Sequence, residues 1–142
     1  MKKTFLVLGL LFSTLLSGCY AKGITHAQAP SPPENSSMGT MYFYREPGHY
    51  GGWVPLTITL DGKKVVSIGQ DGYTWTQIPV GPHKIGTSWG VELNTLVKGG
   101  GKQYYRLHTY AVAGGNQVVI KRVSESVALE QIREFKYVPS KQ

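Results

Sequence analysis

Thiols, acids and long apolar stretches are all scarce in this chain of 142 residues. Its single cysteine, Cys19, can form no internal disulfide and can build no Cys-rich zinc site. Acids number 8 against 15 Lys and Arg. None pair at a spacing that suits two-carboxylate glycoside hydrolysis. Asp61 and Asp71 each precede a glycine, where a turn uses the carboxylate on nearby backbone. One G-x-S-x-G string occurs, Gly86-Thr87-Ser88-Trp89-Gly90, but it lies between two strand patterns, without the strand-to-helix elbow that exposes a serine nucleophile. The glycine runs Gly99–Gly101 and Gly114–Gly115 join strand patterns, so they lack the helix that follows a phosphate loop. His49, His83 and His108 show no i, i+2 pairing of the kind two metal ligands on one strand require. His83, in a Pro-x-Gly-x-His turn, is expected to bond backbone instead. The basic residues are scattered, with Lys63-Lys64 and Lys121-Arg122 the densest groups, unlike the gathered, aromatic-interleaved face of a nucleic-acid binder. These scarcities predict a protein with no cofactor, no metal, no catalytic residues and no nucleic-acid partner.

The longest apolar run opens the chain. Lys2 and Lys3 precede Phe5 to Leu16, about twelve apolar residues, too few to cross a ~30 Å hydrocarbon core as a helix. Leu16-Ser17-Gly18-Cys19 follows and resembles the lipobox of bacterial lipoproteins. The resemblance implies a diacylglyceryl thioether on Cys19, cleavage before it, and acylation (palmitate or similar) of the new amino terminus. An ordinary secretory signal would prefer an A-x-A-like site, and Tyr20-Ala21-Lys22 supplies no better one. Two or more acyl chains hold a protein to a bilayer durably, whereas one does not. Tyr20, in place of an aspartate, favours the outer membrane by resemblance to known lipoprotein sorting. Cleavage would leave 124 of the 142 residues, suited to one domain, and would reduce the formal charge from +7 to about +5. That mild excess favours contact with anionic lipid or polymer surfaces.

The expected organisation is a signal peptide over 1–18, a lipidated cysteine and flexible linker over 19–38, a β-sandwich over 39–138 and a tail over 139–142. The linker reading rests on Pro30, Pro32 and Pro33 among Ser, Asn and Gln, with no apolar period. Such a chain would reach roughly 25 Å, with His26 solvated inside it. From Thr40 to Arg45, alternation places Met41 and Phe43 on one face and Tyr42 and Tyr44 on the other. Glu46-Pro47-Gly48 stops that strand. Pro55 to Leu60, Asp61-Gly62 and Lys63 to Ile68 read as a hairpin. Leu56, Ile58, Leu60, Val66 and Ile68 share a face only if the loop has three residues or a bulge lies beside Gly62. Further strand patterns run through Tyr73–Ile78, His83–Trp89, Val91–Val97, Lys102–Val112 and Gln117–Val123. Within the longest, Tyr105, Leu107, Thr109 and Ala111 alternate against Tyr104, Arg106, His108 and Tyr110. The period then changes: Ser124 can cap a helix carrying Ala128, Ile132 and Phe135 as one apolar stripe. Seven or eight short strands and one terminal helix, packed on an edge or end, predict an all-β antiparallel sandwich.

YFYRE (42–46), LDGKKV (60–65), DGYTWTQIPVGPHKI (71–85), GGKQYYRL (100–107) and EQIREF (130–135) stand in an order that resembles a bacterial lipoprotein family. That family is built around an uncharacterised domain similar to PEGA-type β-sandwiches. The resemblance covers roughly residues 39 to 137 and implies a small, non-enzymatic envelope lipoprotein without catalytic residues. Pro82 departs from the polar residue more usual in that turn. The aromatics exceed what core packing explains. His49, Tyr50 and Trp53 crowd a glycine-bearing loop that is hard to bury, and Trp and Tyr are favoured at recognition surfaces. They form the candidate contact surface, for an envelope protein partner or for stacking on envelope glycan, alongside the membrane contact through Cys19. Otherwise Trp53 covers the open end of the sandwich.

Overall fold

A computed structural model describes residues 23–48 and 53–141. Among the described residues, ten strands form two sheets with one α-helix. The strands are β1 (Ile24–Thr25), β2 (Met38–Arg45), β3 (Leu56–Leu60), β4 (Lys63–Ile68), β5 (Gly72–Pro79), β6 (Gly81–Thr87), β7 (Glu92–Val97), β8 (Lys102–Val112), β9 (Gly115–Val123) and β10 (Lys136–Tyr137). The helix, α1, spans Glu125–Ile132. One sheet has the order β1-β10-β5-β2-β8-β9 and the other β4-β3-β6-β7. The chain crosses between them repeatedly: β2 lies in the larger sheet, the β3–β4 hairpin in the smaller, β5 returns, and β6–β7 cross again. These crossings let β8 lie parallel to β2, and β10 lies parallel to β5. The larger sheet is therefore mixed, where a wholly antiparallel one was expected.

Strand alternation sorts side chains into two clusters. Met41, Phe43, Ile78, Tyr105, Leu107 and Val118 point between the sheets, onto Leu56, Ile58, Leu60, Val66, Ile68 and Ile85. Tyr42, Tyr44, Tyr73, Trp75 and Tyr104 point the other way and are covered by Ala128, Ile132, Phe135 and Tyr137. Of the expected stripe, Ala128 and Ile132 lie on α1 and Phe135 just beyond its end, all three buried, and the helix lies on the outer face of the larger sheet, not at an edge or end. The reason is area. Five large aromatics on that face would otherwise stand in water, and an apolar stripe removes them from it.

The hairpin keeps its expected buried face by a different route. Leu60 pairs with Lys63 across a two-residue turn in which Asp61 (φ 50°) and Gly62 (φ 80°) are both left-handed, as a type I′ turn demands. The register then shifts between Ile58 and Thr59, where Val65 is the extra residue. The bulge thus sits three residues beyond Gly62, and both Val65 and Val66 are buried. Ser124 precedes α1 in extended conformation, but its hydroxyl meets Ser126 Oγ at 3.2 Å and makes no side-chain cap.

The described part of the expected flexible linker is a strap. Ile24–Thr25 pair with β10, and a 3-10 turn follows over His26–Gln28. Trp75 Nε1 donates to Pro30 O at 2.9 Å and Gln77 Nε2 donates to Pro33 O at 2.6 Å. His26 packs on the Tyr73 ring at 5.5 Å, so it is not a free solvated side chain. Backbone carbonyls, which every residue owns, hold the strap, and composition cannot announce them.

Candidate functional site

The loop that joins β2 to β3 is held at its two roots by the side chains of Arg45 and Gln70. Arg45 has the parity of Met41 and Phe43, so its side chain enters the space between the sheets and is fully buried. Its Nη1 donates to Val54 O at 2.6 Å and to Ile68 O at 3.2 Å. Burial pulls its guanidinium below the ordinary arginine value. Sequence reasoning missed this residue, although its place in the alternation was the available signal. At the other root, Gln70 Nε2 donates to Gly48 O at 3.0 Å. Gly48 itself presses on β8: a Cβ there would stand 2.9 Å from Thr109 O, a contact only glycine avoids. Trp53 emerges from this frame with 67% of its surface exposed, so it does not cover the end of the sandwich. His49 and Tyr50, the other two residues of the expected contact surface, lie outside the described residues, as does Cys19.

Beside the loop's first root lies a charged cleft of about 330 Å³ lined by Glu46, Arg106, His108, Val119 and Lys121. Antiparallel pairing of β8 with β9 sets Arg106 opposite Lys121 and His108 opposite Val119 on the outer face. Glu46 Oε1 receives Gln131 Nε2 at 3.1 Å and faces Arg106 Nη1 at 3.4 Å, while Oε2 meets His108 Nδ1 at 3.1 Å. Tyr44 OH donates in turn to Gln131 Oε1, tying α1 to the sheet. Burial, countered by Arg106, raises the Tyr44 phenol to about 12, so it stays a donor at neutral pH. Both oxygens of Glu46 are engaged, which makes it a positioned acceptor and a poor free base. The cleft can accept and donate hydrogen bonds around a polar ligand.

A second polar constellation lies across the smaller sheet. His83 Nδ1 meets Asp61 Oδ2 at 2.6 Å and its Nε2 meets Pro79 O at 2.8 Å, while Lys84 N donates to Asp61 Oδ1 at 2.9 Å. The expected backbone bond of His83 is thus present, with Asp61 as an added partner. Both ring nitrogens face acceptors, so the arrangement suits the imidazolium. Burial lowers the His83 value, but the hydrogen bonds to Asp61 and Pro79 outweigh it and the net shift is upward. The His83 bond, followed by the Lys84 N–H, holds the Asp61 carboxyl below its usual range. No hydroxyl or thiol takes part, so the pair orients a turn.

Among the described residues, no group of three His, Cys, Asp or Glu side chains is placed to hold a metal ion, and no helix is long and apolar enough to cross a membrane. Comparison with protein-family models and with curated proteins finds no match to this chain.

Proposed function

We propose that this chain is a cell-envelope lipoprotein of the PEGA-like kind. In this reading, lipid on Cys19 holds it at the outer membrane, and its β-sandwich acts as a non-catalytic interaction module. Support for the anchor is the Lys2-Lys3, Phe5–Leu16 and Leu16–Cys19 sequence. One observation carries the interaction reading: an indole two-thirds exposed on a loop whose roots are clamped by Arg45 and Gln70. Aromatic side chains, with few rotatable bonds, bind with little loss of conformational freedom, the usual property of interface hot spots. Photo-crosslinking in cells from position 53 tests it, with position 96 on the smaller sheet as control, since Leu96 is also exposed. A discrete shifted band from 53 alone is expected. Equal labelling from both positions, or none, overturns the interaction reading. For the anchor, Cys19→Ala is expected to move the protein from the membrane to the soluble fraction, and continued firm membrane attachment would refute it.

A second reading is favoured by the charged cleft: envelope polysaccharide stacks on Trp53 and hydrogen-bonds to Glu46, Arg106 and His108. Murein fragments should then raise the melting temperature, and Trp53→Ala should abolish the rise. No rise with the native protein counts against this reading.

A further inference from the structure

The strap changes how far the domain can stand from its membrane. A flexible segment over 19–38 would reach roughly 25 Å. Yet the chain is already fixed at Gly23, whose Cα packs against the Tyr137 carbonyl, and at Ile24, which pairs with Tyr137. Only four peptide steps separate Cys19 from Gly23, and a fully extended chain covers about 14 Å in that length. Whatever lies beside Gly23 is therefore kept close to the plane in which Cys19 sits.

What lies beside Gly23 is a side wall where the two sheets meet. Residues 136–141 run along β5: Lys136 N donates to Asp71 O at 2.8 Å, Val138 N to Tyr73 O at 2.8 Å, and Ser140 Oγ to Trp75 O at 2.8 Å. Lys141 N then donates to Val65 O at 2.7 Å, joining this segment to β4, the edge of the smaller sheet. Along the wall lie Lys136, opposite Thr25, and Lys141 at its far end, while the adjoining edge strand β4 adds Lys63 and Lys64, whose side chains leave opposite faces of that strand. Lys63, Lys64 and Lys141 are exposed and Lys136 is half-buried. Among the described residues none of the four makes an ion pair, whereas Lys84, Arg106 and Arg133 each do. The acids on or beside the wall are Asp71, half-buried under Lys136, and Asp61, which is engaged by His83. The wall thus carries four ammonium groups outside any ion pair, with Lys63 near enough to Asp61 to help lower that carboxyl.

We infer that this wall, formed by β1, β10, the 138–141 segment and β4, is the membrane-facing surface of the protein, where Lys63, Lys64, Lys136 and Lys141 contact anionic lipid headgroups. The inference rests on the lipid-anchor reading above and gives it an orientation. At physiological salt, electrostatic attraction fades over about 8 Å. A 25 Å tether would leave the lysines outside that range for most of the time, whereas the 14 Å limit on Gly23 holds the wall near enough that a tilt of the domain brings them into it. Lysines this close to an anionic leaflet each strengthen attachment. The opposite edge, β9, then points away from the bilayer, and so does the far part of the cleft that β9 lines.

The test uses the mature, lipidated protein on vesicles with and without phosphatidylglycerol. Because lipid occupies the Cys19 sulfur, Thr25→Cys on the wall or Asn116→Cys on β9 supplies one free thiol for a fluorophore. Vesicles carry a nitroxide on the lipid headgroup as a short-range quencher. Strong quenching at position 25, little at 116, and deeper quenching at 25 with phosphatidylglycerol are expected. The variant K63Q/K64Q/K136Q/K141Q should lose the phosphatidylglycerol-dependent part, and K121Q/R122Q should retain it. Equal quenching at 25 and 116, or no effect of the anionic lipid on a protein whose Cys19 lipid is verified by mass, overturns the orientation alone. A Cys19 without acyl mass would bring down the anchor reading, and this one with it.

Discussion

The larger sheet buries both its faces, and it does so with different chemistry on each. Its inner face meets the smaller sheet mostly through side chains without a polar tip, such as Met41, Phe43, Ile78 and Leu107, with Arg45 and Tyr105 as polar exceptions that bond to Ile68 O and Thr95. Its outer face presents Tyr42, Tyr44, Tyr73, Trp75 and Tyr104, and what covers it is a helix, a tail and a strap. There, nearly every cover segment is addressed by a polar tip. Trp75 Nε1 reaches Pro30 O, Tyr104 OH reaches Glu125 Oε1 at 2.7 Å, and Tyr44 OH reaches Gln131. An apolar interface selects its partner by shape and volume, while amphipathic aromatics bury area and at the same time require a donor or acceptor at one place. The inner face therefore holds the sandwich together, and the outer face determines where the helix and strap lie.

The comparison can be broken most severely from the inside. Phe43→Ala should cost about 3–5 kcal/mol and unfold the domain as one unit, because both sheets border the cavity it leaves. Denaturant melts followed by two probes, one per sheet, should remain coincident. On the outer face, Ile132→Ala should cost about 2–4 kcal/mol, since the side chain is fully buried against the aromatics. Here the loss should be local as well: hydrogen exchange in α1 should rise more than in β8. Should both variants accelerate exchange equally throughout, the two faces would form one cooperative layer and the distinction would fail.

Trp75→Phe sharpens the contrast by keeping the ring and deleting the donor. A loss of about 1 kcal/mol is expected, with faster exchange in residues 24–37 and unchanged exchange at the inner-face positions of β8. The smallest effect belongs to the exposed pair on the smaller sheet. The His83 value is raised on folding, so its stabilisation is complete below its unfolded value near 6.5 and fades as pH rises through the folded value. Asp61 is depressed, so its share is present above about 3.8 and is lost as pH falls through the lower folded value. Stability should therefore show a shallow maximum between those limits. Asp61→Asn, which tolerates the left-handed turn and keeps the oxygen for Lys84 N, should remove the pH slope between pH 6 and 8. The loss should stay under about 1 kcal/mol, because Asp61 is half exposed and its charge is screened. A retained slope would assign the dependence to another group.

Alternation made the faces of the larger sheet legible. The parity that separates Met41 from Tyr42 needs no tertiary information, and β8 followed the same rule with Tyr105, Leu107 and Thr109 inward, until Ala111, which is exposed where the strand runs past the core. The stripe Ala128, Ile132 and Phe135 was legible for the same reason, its period changing from two to about 3.6. Where the helix would lie was not, because nothing local distinguishes an apolar stripe destined for an edge from one destined for a face. The bulge at Val65 escaped too: parity demanded one extra residue in the hairpin but is silent on which position takes it. At the candidate site, the exposure of Trp53 was readable from the glycines and aromatics around it in the sequence. Its clamp was not, since Arg45 reaches across to Val54 and Ile68 through carbonyls that carry no sequence signature.

By itself, then, the sequence determined the all-β class, the faces of most strand positions, the apolar Ala128 and Ile132 of α1 and a hairpin turn at Asp61-Gly62. Each depends on near neighbours whose spacing is set by covalent geometry. Only the tertiary structure decided that His83 meets Asp61, that Glu46 gathers Arg106, His108 and Gln131, and that a proline-rich segment lies pinned across Trp75 and Gln77. Those pairings join residues from 22 to 85 positions apart. Strand order brings them together, and strand order follows from which buried faces the whole chain can cover at once.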